Sequence, residues 1–228
     1  MKKIIGEAAY SAVCDRLRED ILEGVLKPGE RLKMAALVKR FGISPMPIRE
    51  ALQRLEGEGL IIIKPHRGAC VRDLDKKYIS DLHEIRLAIE IMLVRKACRL
   101  ITDKVLDKLT EIQRKYDLAM ENSNSSKLLH QINKQFHFEI FSYSGNEEAI
   151  RLLASQSSAI RNLRVKFGYH PHRPPQVISK EHHQIIDAFR SGDCDYIERV
   201  YLDHSEKSMG ELDYYFELLD ARATGGKS

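Results

Sequence analysis

The chain has 228 residues, 43% of them apolar and 31% charged, with a formal net charge of +4, so it can bury a core in one large or two small domains. No stretch approaches the roughly 18 apolar residues of a membrane span, and Glu7 interrupts the opening before a signal-length apolar run develops; neither membrane insertion nor secretion is expected. The four cysteines, Cys14, Cys70, Cys98 and Cys194, lie far apart with no Cys-x-x-Cys pair, which argues against a zinc ribbon or redox couple and suits a reducing cytoplasm.

Charge is unevenly placed: residues 1–72 carry a balance of +5, the remainder −1. A basic module on a near-neutral one fits a phosphate-binding head on a regulatory body, although a solvated surface explains the same numbers. In chain order, Tyr10, Val13, Leu17 and Ile21 recur at helical spacing, predicting a first helix over about residues 8–23 that stops at Gly24 and Pro28-Gly29. A short second helix over about 34–41 turns Leu37, Val38 and Phe41 inward, and Gly42 ends it by permitting a left-handed turn. Ser44 is placed to cap a third helix with Pro45 at its first position. Helix, glycine-centred turn and capped helix together spell a helix-turn-helix.

On the third helix Ile48, Ala51, Leu52 and Leu55 form the inward stripe, leaving Met46, Arg49, Glu50 and Gln53 on another face. Arg49 can offer paired donors to guanine and Gln53 can pair with adenine, so this face is expected to enter the major groove. A bland alternative for Arg49 is an ion pair with Glu50 or Glu56. Leu60–Ile63 and Ala69–Val71 then suit two strands joined by Pro65-His-Arg-Gly68, a wing whose Lys64, His66, Arg67 and Gly68 can touch phosphates or the minor groove.

These residues resemble the winged-helix GntR regulators, specifically the FadR-like branch with an FCD (VanR-type) effector domain. The resemblance rests on Leu26-Lys-Pro-Gly29, Phe41-Gly-Ile-Ser44, Pro47-Ile-Arg-Glu-Ala-Leu52, Glu58-Gly-Leu60 and Arg67-Gly68 with Val71, and it continues through nearly the whole chain. It implies a DNA head over residues 1–73, with Ser44, Met46, Arg49, Gln53 and the wing at the DNA, and an effector-binding and dimerisation domain over 74–228. Where the family often has Ser-Arg-Thr-Pro, this chain has Ser44-Pro-Met-Pro47, which removes one base-reading arginine and throws more of the readout onto Arg49, Gln53 and DNA shape.

Beyond Asp75 the chain turns to long amphipathic segments. Ile79, Leu82, Ile85, Ile89, Met92, Leu93, Ala97 and Leu100 form one stripe; Val105, Leu109, Ile112, Tyr116 and Met120 form the next. Further helices are expected at about 126–143, 147–167, 178–190 and 194–219. The fold class is thus mainly α: an N-terminal winged helix-turn-helix and a C-terminal antiparallel six-helix bundle.

Asn133 and His137 stand four apart on one helix, while His182 and His204 each sit among apolar residues on others. Three imidazoles and one amide oxygen converging inside the bundle would suit a divalent transition metal, zinc first, nickel or manganese next, with positions open to a carboxylate. Any one of these histidines alone is more simply a hydrogen-bonded core residue. The resemblance implies the same set: the family's Asp/Asn-x-x-x-His falls on Asn133 and His137, its Glu-His-x-x-Ile on Glu181 through Ile185, and its late histidine on His204. Glu181 is expected to turn away from the face of His182. Arg86, four before Glu90, either pairs with it or meets an acidic effector, with Arg161 and Arg164 weaker candidates.

The function expected is a ligand-responsive, DNA-binding transcriptional regulator, by resemblance more often a repressor, and not an enzyme. Its partners would be double-stranded, near-palindromic operator DNA, a small carboxylate effector and a second copy of the chain as a homodimer in the cytoplasm, with no membrane. The alternatives are a regulator that senses the metal itself and a metal-dependent hydrolase, against which the absence of His-Glu-x-x-His counts.

Overall fold

The computed structural model describes residues 2–73, 75–122, 125–155 and 173–208. Contacts divide the chain into two compact units, with Met1–Ile79 in the first and Ser80–Ala154 in the second, so the division falls inside a helix rather than before it.

In the first unit, α1 (Lys2–Leu22) begins earlier than its apolar period predicts. It buries Val13, Leu17 and Ile21 and ends at Gly24, whose φ of 74° is left-handed. Next come the two-residue strand β1 (Arg31–Leu32), α2 (Met34–Phe41) and α3 (Pro45–Gly57). The turn between α2 and α3 is made as expected: Gly42 takes φ 65° and donates its N–H to the Val38 carbonyl. Ser44 does occupy the cap position of α3, but its side chain makes no capping hydrogen bond; Pro47, third in the helix, has no amide for a cap to serve. The expected stripe of α3, Ile48, Ala51, Leu52 and Leu55, is buried to 5% exposure or less. Each of its larger members contributes about 1.5–3 kcal/mol by leaving water.

The wing is β2 (Ile61–Lys64) and β3 (Gly68–Val71), paired antiparallel from Ile61↔Val71 to Lys64↔Gly68. Unanticipated β1 adds to the other edge of β3, giving the order β1-β3-β2. The Glu56 carboxylate accepts the Ile63 amide at 2.8 Å, pinning the wing to α3. Beneath, Glu58 is buried and accepts two bonds from Arg18 at 2.8 and 2.9 Å and one from Arg54, clamping α1 to α3.

The second unit is built on α4 (Lys76–Ala97), α5 (Asp103–Asn122), α6 (Ser126–Ser142), α7 (described over 147–155), α8 (Pro175–Ser191) and α9 (Cys194–Lys207). Local chemistry marks the ends: Ser125 caps α6, Asp193 caps α9 by accepting two backbone N–H bonds, and Gly192 closes α8 at φ 70°. Val105, Leu109, Ile112 and Tyr116 of α5 enter the core with Phe136, Ile140 and Phe141 of α6, Ile185, Ile186 and Phe189 of α8 and Tyr201 of α9.

Two expectations fail here. The expected stripe of α4 holds only in part: Ile79, Leu93 and Ala97 are buried, but Ile85 and Met92 are 49% and 37% exposed, as is Leu100 beyond the helix end at 57%, while His83, Glu90 and Val94 are buried. The helix spends part of its inner face on polar groups, which a reading that equates apolar with inward cannot detect. Nor are the cysteines four separate thiols. Cys98 and Cys194, 96 positions apart, are joined in a disulfide with Cα atoms 5.7 Å apart, while Cys14 and Cys70 are free. Tertiary folding makes this pair, so spacing along the chain does not reveal it.

Candidate functional site

On the head, Arg49 and Gln53 of α3 and Arg67 and Gly68 of the wing line one cleft of about 370 Å³, whose wall also carries Arg31 and Lys33. Arg49 has no ion-pair partner among the described residues: Glu56 is occupied by the wing amide, and the bland alternative of an Arg49–Glu56 pair is not realised. Ser44, Met46, Lys64 and His66 are exposed but lie outside the cleft lining. His66, at the wing tip, adopts φ 59°, rare for a residue with a Cβ. Arg31 and Lys33 were missed because strand β1, which presents Arg31 and leads into Lys33 at the start of α2, is only two residues long; the readable signal was the basic pair just after Pro28-Gly29.

Inside the helical unit, α6 supplies His137, α8 supplies His182 and α9 supplies His204. Their ring centroids stand 5.1, 5.2 and 5.3 Å apart, close to an equilateral triangle. One ligand atom from each lies within 4.8 Å of the others. His182 and His204 are buried, and Phe136 stacks on the His182 ring at 4.2 Å.

The outer nitrogens are all engaged. His182 Nδ1 lies 2.7 Å from Gln113 Oε1, His137 Nδ1 lies 2.8 Å from the Tyr201 hydroxyl, and His204 Nδ1 lies 2.6 Å from Glu181 Oε2. The inner nitrogens face one another: His137 Nε2 and His204 Nε2 are 3.3 Å apart, and buried His182 Nε2 has no hydrogen-bond partner. Two nitrogens each about 2.0–2.1 Å from a tetrahedral ion would be separated by about 3.3–3.4 Å. An orphaned buried nitrogen and an outer hydrogen bond on every ring are what a metal centre requires of its protein, so these residues fit a divalent ion.

Electrostatics agree. Burial first, then repulsion by neighbouring His204 and Arg86, holds His137 well below the ordinary histidine range; burial and the other two imidazoles do the same to His182. Both rings are therefore neutral, the form that ligates. For Glu181, burial opposes ionisation, but hydrogen bonds from His204 and Arg173 prevail and hold it below the usual carboxylate range. Glu181 thus corrects its expectation: it does leave the face of His182, yet it is buried and orients His204. Viewing one helix in isolation hid the partner arriving from α9.

Arg86 and Glu90 form the expected intrahelical ion pair at 2.5 Å, but it faces inward, with Glu90 only 7% exposed. Burial raises the Glu90 carboxyl, opposed chiefly by Arg86 and then by His204, and Glu90 and Tyr201 share Ser205 as a hydrogen-bond partner. Arg86 therefore lies within electrostatic reach of the histidines. Asn133 sits one turn before His137 on α6, half-buried. Arg161 and Arg164 lie outside the described residues. Gln113, Asp117 and Tyr201 were not anticipated; the available signal was polar Gln113 next to the apolar stripe of α5.

Residues 9–71 match the family of bacterial regulatory proteins called gntR, and residues 81–207 match the FCD domain. The chain is 26% identical to the uncharacterized HTH-type transcriptional regulator YdhC of Bacillus subtilis (strain 168), over 91% of this chain and 92% of that one. It is 26% identical to the HTH-type transcriptional repressor RspR of Escherichia coli (strain K12), over 84% and 83% respectively. Among solved structures, Lar, which controls the expression of the Listeria monocytogenes agr system, superimposes with a TM-score of 0.71 at 18% identity, over 92% of this chain and 97% of that one; this likeness is one of fold.

Proposed function

Because this chain belongs to the GntR family of transcriptional regulators and carries an FCD domain, we propose that it is a repressor whose helical unit binds a divalent transition metal and a small carboxylate effector. Membership makes it a DNA-binding regulator rather than an enzyme; the metal, the acid, the homodimer and the direction of control are the proposal. Repression is favoured by likeness to a named repressor. The homodimer is favoured by the apolar side chains that α4 leaves exposed, and by the need of short recognition helices to engage two half-sites of a near-palindromic operator.

The observation that carries the reading is the convergence of three imidazoles whose outer nitrogens are all hydrogen-bonded and whose inner nitrogens face one another. His137, His182 and His204 would hold the ion, with Asn133 as a fourth ligand; zinc suits this set best, nickel or manganese also. When bound, the metal supplies a fixed positive charge to which a carboxylate is attracted. Arg86 holds a carboxylate already, that of Glu90, and an effector acid would compete for the same guanidinium. Effector and operator then act on each other by linkage: the acid favours one arrangement of the two heads, the operator another. The regulator works where its DNA is, in the cytoplasm.

A second reading draws on the 3.3 Å contact between His137 and His204, which could be a hydrogen bond in a metal-free cluster. Metal analysis of protein purified without added metal decides. About one transition-metal ion per chain, lost in both His137→Ala and His204→Ala, is expected; full occupancy in both variants would refute the ligand set. Titrating acids against the operator complex is expected to release DNA only with metal bound. Release by metal alone would identify an ion sensor.

A further inference from the structure

We propose that Asp117 is a positioning residue that sets the metal-ready tautomer of His182 through the side-chain amide of Gln113. The inference rests on the reading of the three histidines as metal ligands and goes one layer beyond it. Gln113 and Asp117 are four apart on α5 and share a face; Gln113 is fully buried.

An ionised carboxylate can only accept. Asp117 Oδ1 lies 2.7 Å from Gln113 Nε2 and 2.5 Å from the Ser179 hydroxyl, and Oδ2 lies 3.1 Å from His183 Nε2. Gln113 must therefore turn its NH2 towards Asp117, where the Ser179 oxygen 3.3 Å away can also accept. That leaves Oε1, an acceptor only, 2.7 Å from His182 Nδ1, and a bond there requires the ring proton to be on Nδ1. In a neutral imidazole the lone pair is then on Nε2, the buried atom without a partner that faces the other two rings. With the amide reversed, its N–H would demand a lone pair at Nδ1. The proton would move to Nε2 and occupy the direction along which a metal binds.

The test uses the full chain, stripped of metal and labelled with 15N-histidine, with the His182 tautomer read from long-range 1H–15N correlations. Wild type is expected to carry its proton on Nδ1. In Asp117→Asn the new amide can donate, Gln113 is free to reverse, and His182 is expected to shift towards Nε2–H, with zinc affinity falling roughly 10–100-fold. The charge-conserving double variant Asp117→Asn/Gln113→Glu should restore Nδ1–H, because the carboxylate introduced at position 113 can only accept from the ring, while the amide introduced at position 117 donates to that carboxylate. A wild-type ring protonated on Nε2 overturns the proposal without any variant. An Asp117→Asn spectrum identical to wild type overturns it as well. A spectrum that shifts as described in a protein that binds no zinc would uphold the positioning role and remove the metal reading instead.

Discussion

Arg49 lines the cleft between α3 and the wing with no ion-pair or side-chain hydrogen-bond partner among the described residues, so its truncation breaks no such bond within the fold. Arg49→Ala is expected to weaken specific operator binding by about 1–3 kcal/mol while leaving the circular dichroism spectrum and melting temperature unchanged. Unaltered affinity in a gel-shift titration would exclude this face as the one that reads bases. At this scale side-chain type and helical phase were enough to place Arg49 and Gln53 on one exposed face of α3 and to turn His137, His182 and His204 into the bundle, which is where the structure has them. It was silent where a role depends on which groups arrive from other helices. Glu181, Gln113 and Tyr201 acquire their roles only from the imidazoles they meet, 23, 69 and 64 positions away.

Among elements, the α1–α3 clamp has the clearest pH signature. Burial alone would raise Glu58, but the Arg18 fork and Arg54 outweigh it and hold its carboxyl below the ordinary range. A carboxylate depressed in the folded state contributes stability that is present above its unfolded pKa, about 4.3, and disappears as pH falls through its folded value. Urea unfolding of the head is therefore expected to show a falling midpoint below about pH 4, and Glu58→Gln should flatten that part of the profile. The element boundaries themselves were legible in proportion to their chemistry. Gly42 and Pro45 mark the turn into α3 in the sequence, and the long stripe of α5 is buried as its period implies. Two-residue β1 is too short to carry a period, and α4 misled because its inner face is shared between apolar residues and the Arg86–Glu90 pair.

For the molecule as a whole, the basic surplus concentrated in residues 1–72 predicts an electrostatic mode of operator binding. If two heads of a dimer together contact on the order of 6–10 phosphates, affinity should drop by roughly 10³–10⁵ between 50 and 200 mM salt. A nearly flat dependence would mean that the cleft carrying Arg31, Lys33, Arg49 and Arg67 does not follow the backbone.

The Cys98–Cys194 bond closes a covalent ring that encloses α5 through α8, with His137 and His182 inside it and His204 ten positions beyond its closing residue. Topology then dictates how the protein breaks. A single protease cut anywhere between residues 98 and 194 opens the ring but separates nothing, so the nicked chain should migrate as one species on a denaturing gel until dithiothreitol is added, when two fragments appear. A cut on either side of the ring would release its piece with no reductant at all.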